Sequence, residues 1–133
     1  MNLNTQQPRR RKAPWLFTMI KLTNQQKEDI DAIAWHFGDE RAVLHAGEEY
    51  AEASAAIIQY FRAEYHHDGF PDVRFDLMCE EIADAFIMLE ELLDLRPEMR
   101  AVIEQKIAYK INRTLERYSI KEPANAEAET QAH

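Results

Sequence analysis

Apolar residues recur at intervals of three and four through four successive segments, and nowhere alternate at the period of two that a half-buried strand needs. That periodicity confines the chain to an all-α fold. With only three glycines and five prolines in 133 residues, the turns of a sandwich or barrel are missing. The length is near that of one domain. No run of about 18 apolar residues exists, so no membrane-crossing helix is expected. A single cysteine, Cys79, excludes a disulfide framework and a cysteine-rich zinc site, and fits a reducing compartment.

The first helix is expected over residues 24–37, with Thr23 and Gln26 forming a capping box and Ile30, Ile33, Ala34 and Phe37 facing inward. Gly38 ends it and Asp39 is placed to cap the next. The second helix is expected over 40–65, with Val43, Leu44, Gly47, Tyr50, Ala51, Ser54, Ile57, Ile58 and Phe61 as its apolar side. Small residues such as Ala46, Gly47, Ala51, Ala53 and Ala55 would let another helix approach closely. The run from His66 to Pro71 is a break. A third helix follows over 72–95, its stripe running from Phe75 through Met78, Ile82, Ala85, Phe86 and Leu89 to Leu92 and Leu93. Pro97 suits the first turn of a fourth helix ending near 118, striped by Met99, Val102, Ile103, Ile107, Ile111 and Leu115. A four-helix bundle over 23–118 is expected, completed by oligomerisation. Residues 1–22 and 119–133 are expected to be disordered. The run Arg9-Arg10-Arg11-Lys12 before an apolar stretch faintly resembles a signal peptide, but the stretch is short and lacks a small-residue cleavage site. Met19 is an alternative start.

Charge is unevenly distributed. The net charge is −8, yet residues 39–94 hold 15 acids against three bases, and residues 95–118 hold six bases against three acids. An acidic surface repels nucleic acid, so stable nucleic-acid binding is not expected. Glu49 and Glu52 lie three apart and share a helix face, as do Glu81 and Asp84. Both pairs sit in apolar surroundings, which points to the helix–helix seam. Like charges there repel and are costly to bury unless a cation compensates. Four carboxylates make an all-oxygen set suited to Mg²⁺ or Mn²⁺ and not to zinc. A solvated helix face is the competing explanation for any one of these acids. A di-iron carboxylate centre needs Glu-x-x-His on two helices, and only Glu64-x-x-His67 is present, beside a break. Lys106, Lys110, Arg113 and Arg117 form a basic stripe on the fourth helix. It suits either solvent and the helix dipole or, opposite a carboxylate site, a polyphosphate.

Glu49-Tyr50-Ala51-Glu52, followed after 28 residues by Glu81-Ile82-Ala83-Asp84, resembles the ExxE…ExxD signature of the MazG-like all-α nucleoside triphosphate pyrophosphohydrolases. Glu48-Glu49-Tyr50-Ala51-Glu52 is similar to the EExxE form. The string from Asp76 to Leu92 is similar to the phage and prophage branch, and Lys110-Ile111-Asn112-Arg113 falls where that family carries a Lys/Asn/Arg helix. The resemblance covers about residues 30–118. Where relatives often carry Gln-x-x-Lys before the first motif, this chain has Ala42 and His45.

The resemblance implies cleavage of an NTP or dNTP between the α and β phosphates by a cytoplasmic homodimer or homotetramer. Glu49, Glu52, Glu81 and Asp84 would hold Mg²⁺, and Glu48 or Glu49 would act as base. Lys106, Lys110, Asn112 and Arg113 would meet the phosphates. Trp35 and Phe37 are the candidates to stack on the nucleobase, with packing as the other role for each, and His45 would touch substrate or serve as a plain polar helix residue. Phosphoribosyl-ATP pyrophosphatases belong to the same fold group. A non-catalytic helical binding module with the same fold and assembly is the alternative of a different class.

Overall fold

The computed structural model describes residues 20–121; the basic run at Arg9–Lys12, Met19 and the tail beyond 121 lie outside them. Four helices follow one another: α1 (Asn24–Phe37), α2 (Asp39–His66), α3 (Pro71–Leu95) and α4 (Glu98–Arg117), with no strand among the described residues. The periodicity of the sequence thus places every helix within a residue or two of its observed bounds.

The α1 N-terminus is held by the expected capping box. Thr23 Oγ1 accepts from the Gln26 N–H (3.1 Å), and Gln26 Oε1 accepts from the Thr23 N–H (2.8 Å), satisfying two of the amides a helix start leaves open. Gly38 closes α1 with φ +84°, where a side chain would be strained, and its N–H donates to the Ala34 carbonyl (2.9 Å). The same glycine is the N-cap of α2. Asp39 does not cap: it lies in the first turn of α2, and both its oxygens accept from the Arg96 guanidinium (2.6 and 2.5 Å) beyond the end of α3. That pairing pins the α1–α2 corner to the α3–α4 corner. At the other end, the link 67–70 reverses the chain, with His67 in the left-handed region and the Asp68 N–H bonded to the Arg62 carbonyl (3.2 Å). Pro71 occupies the first turn of α3, where its missing N–H costs nothing.

α2 and α3 pack along their lengths, and α1 lies against both. The α2 side of the seam is built from Ala42, Ala46, Ala53 and Ala63, all buried. Of the small residues expected to admit another helix, Ala46 and Ala53 lie in this seam, whereas Gly47, Ala51 and Ala55 are exposed. The expected apolar side of α2 is elsewhere. Val43, Leu44, Tyr50, Ile57, Ile58 and Phe61 are 44–60% exposed: on a helix of 3.6 residues per turn Leu44 and Ile58 lie roughly opposite Ala42, Ala46 and Ala53, and Val43, Tyr50, Ile57 and Phe61 lie to one side of them. On α3, Ala85 and Leu93 are buried, Met78, Ile82, Phe86, Leu89 and Leu92 are half-buried, and Phe75 is exposed. Ile30 and Ala34 anchor α1, whereas Ile33 and Phe37 keep exposed surface.

The fourth helix departs from a closed bundle. α4 touches only α3 and buries none of its residues; Val102, Ile107 and Ile111 are half exposed. An ion pair from Arg100 to Glu90 (3.4 Å) spans the corner. At the far end, the Ile120 N–H donates to the Leu115 carbonyl (2.9 Å), so the chain expected to be disordered from 119 closes the last turn through Ile120.

Candidate metal centre

Midway along the alanine seam, two helices present acids to one another. Glu49 stands on α2 between Ala46 and Ala53, on the buried side. Glu52, one turn on, lies at the rim. Glu81 faces them from α3, one turn before Ala85. Carboxylate oxygens of Glu49, Glu52 and Glu81 lie within 4.8 Å of one another, and no other group of three potential metal ligands does so among the described residues. Glu49 and Glu81 are half-buried and Glu52 is exposed, so the notch opens to solvent at one side.

Electrostatics mark the same place. Burial pushes the Glu49 carboxyl above the ordinary glutamate range, and the charges of Glu52, Asp84 and Glu48 push it further; His45 opposes them. Glu81 is raised by burial first, then by Glu52, Asp84, Glu49 and Glu80. Each group therefore resists ionising in the absence of a cation. The donor set is all carboxylate oxygen, held by two rigid helices, with a fourth acid at its edge. That fits a hard divalent ion such as Mg²⁺ and leaves no nitrogen or sulfur ligand for zinc.

Of the four expected ligands, the structure brings three together. Asp84 stands outside the converging set, yet near enough to raise both Glu49 and Glu81. Glu48 is exposed beside Glu49. His45 is half-buried on α2, between Glu49 and Glu91. Trp35 is 67% exposed on α1, its indole N–H donating to Asp31 (3.1 Å) one turn back on the same helix. Lys106, Lys110, Asn112 and Arg113 are exposed on α4. Because α4 does not touch α2, one chain does not pack these groups against the α2 half of the cluster. Glu64 and His67, the partial di-iron motif, join no metal-ligand group.

Glu91 has no counterpart among the residues the sequence singled out. It is the one buried charged residue among the described residues, 6% exposed, and burial raises its carboxyl against the opposing charges of His45 and Arg41. Its place in the Leu-rich run hid it. The available signal was the complement, Arg41 and His45 four apart on α2. A second acidic patch lies at the other face of α3, where Asp94 is raised by burial, Asp31 and Glu90, in an open cleft of about 560 Å³ between α1 and the start of α4.

No family model, curated protein or solved structure matches this chain.

Proposed function

We propose that this chain is a Mg²⁺-dependent pyrophosphohydrolase that cleaves a nucleoside or deoxynucleoside triphosphate between the α and β phosphates, releasing a monophosphate and pyrophosphate. The observation that carries it is the convergence of Glu49, Glu52 and Glu81 across the α2–α3 seam, at the two acidic motifs that resemble the MazG-like enzymes. A helical pair whose sole strongly acidic seam cluster sits in a solvent-open notch is arranged to hold a cation and a charged ligand together.

Glu49, Glu52 and Glu81, with Asp84 at the rim, would hold the ion. A bound Mg²⁺ supplies charge neutralisation at the phosphates and a lowered pKa for coordinated water. The chain's own groups do the rest. Glu48 or Glu49 takes a proton from the attacking water, whose oxygen joins phosphorus as the α–β bridging bond breaks and pyrophosphate leaves. Lys106, Lys110 and Arg113, with Asn112, neutralise the charge that builds on the leaving group once they are brought to the notch. The exposed Trp35 indole offers a face for the base, and His45 lines the buried side of the cluster.

The second reading, a non-catalytic helical module, draws support from α4, which holds the basic stripe away from α2 within one chain. A panel of NTPs and dNTPs with Mg²⁺, read for monophosphate and pyrophosphate, separates the two. Turnover that falls at least a hundredfold in Glu49→Gln and in Asp84→Asn, with helicity retained, supports the enzyme. No turnover of any nucleotide, together with a melting temperature indifferent to Mg²⁺, rejects it in favour of the module. Including phosphoribosyl-ATP in the panel tests the neighbouring specificity.

A further inference from the structure

We infer that Glu91 is a positioning residue: through the His45 ring it holds the Glu49 carboxylate aimed into the notch. This role rests on the metal-centre reading and not on turnover. Two hydrogen bonds across the seam set the register of α2 and α3. Arg96 donates to Asp39 near one end (2.6 Å), and Arg74 donates to Gln59 toward the other (2.6 Å), so the helices run antiparallel. Counting inward from both pairs at about 1.5 Å per residue brings Glu52 level with Glu81, and Glu49 level with Asp84 and Ala85. His45 falls beside Leu89 and Glu90, within a turn of Glu91. The four-residue step from His45 to Glu49 keeps both on one edge of α2, and Asp84 and Glu91 share one edge of α3. His45 thus stands between two carboxyls, and its charge acts on both.

The burial of Glu91 needs a reason. A carboxyl taken out of water is costly, and an apolar side chain would fill the same place without that cost. The opposing charges near it are His45 first and then Arg41. Arg41 is turned toward α1, its guanidinium 3.8 Å from the centre of the Phe37 ring. His45 is half-buried in the seam and four residues from a ligand acid. An imidazole carries a nitrogen on each of two edges, and the bond made by one fixes the proton on the other. With one proton shared between Glu91 and the near nitrogen, the far N–H donates to Glu49. Carboxylates that ligate a metal depend on such outer partners for their aim, and losing one weakens binding by about tenfold to a hundredfold. His45 is then a holder of the ligand set and not a substrate contact.

Mg²⁺ binding to the nucleotide-free protein, read by titration calorimetry and by the shift in melting temperature, tests the role without turnover. Glu91→Met is expected to melt higher than the parent in the absence of Mg²⁺, because it buries no charge. The same variant is expected to raise the Kd for Mg²⁺ about tenfold or more. Glu91→Gln keeps an acceptor oxygen for the ring and is expected to retain most of the affinity. His45→Ala is expected to weaken Mg²⁺ binding comparably, and adding Glu91→Met to it to weaken binding no further, as for two residues acting through one path. By charge alone, losing the ring favours a cation at Glu49, so weaker binding has the sign that positioning gives. A parent that binds Mg²⁺, with Glu91→Met at parental affinity, overturns the role and leaves the metal centre standing. So do a His45→Ala variant that binds Mg²⁺ more tightly and a double variant whose losses add. A Glu91→Met variant that melts lower than the parent assigns Glu91 to packing and equally rejects the role. A parent that binds no Mg²⁺ overturns the metal centre and the role together.

Discussion

Glu49 and Glu81 are acids that fold into a place unfavourable to their own charge. Burial and repulsion raise both carboxyls, as burial raises Glu91 and Asp94. A raised folded-state value means that the native protein binds protons more tightly than the unfolded chain. The resulting stability is full below the ordinary glutamate value of 4.5 and is lost as pH rises through the folded values. Asp39 runs the other way, held low by the Arg96 hydrogen bonds, but it is one group against four. Without divalent ions, the melting temperature is expected to rise as pH is lowered from 7 toward 5, a slope that shrinks in Glu81→Gln. At pH 7 the same variant is expected to melt higher than the parent without Mg²⁺ and to lose any upward shift that Mg²⁺ gives the parent, measured by scanning calorimetry. Glu49 and Glu52 could be paired from spacing alone, as could Glu81 and Asp84, because three residues is about one turn on a helix whatever surrounds it. Asp84's place at the rim and Glu91's burial could not, because both depend on how far α3 rotates about its axis, which only packing sets.

At the scale of the element, spacing locates helices better than it orients them. Capping chemistry at Thr23–Gln26 and the positive φ of Gly38 are local, and both ends of α1 followed from them. The inward face of α2 did not. Large apolar side chains at 43, 50, 57 and 61 carry the stronger amphipathic pattern, yet alanines at 42, 46, 53 and 63 make the seam. Hydrophobicity says which residues avoid water, not which neighbour covers them. Two substitutions test this account. Ala53→Leu adds volume where α2 and α3 meet and is expected to cost about 1–3 kcal/mol in urea unfolding. Gly38→Ala meets no atom within 4 Å, so its expected loss of about 1 kcal/mol or more is purely the strain of a positive φ.

In the molecule as a whole, three helices share a core and the fourth stands apart. Local opening follows packing density. Hydrogen exchange is therefore expected to be faster along α4 than along the α2–α3 seam. The direction in which α4 leaves the core is set at one corner, where Arg96 grips Asp39 with two parallel hydrogen bonds and Pro97 follows. That clasp ties the start of α4 to the start of α2, although the two helices do not touch. Cut the clasp with Arg96→Ala, and amide exchange in the first turn of α4 is expected to quicken while the α2–α3 seam stays protected.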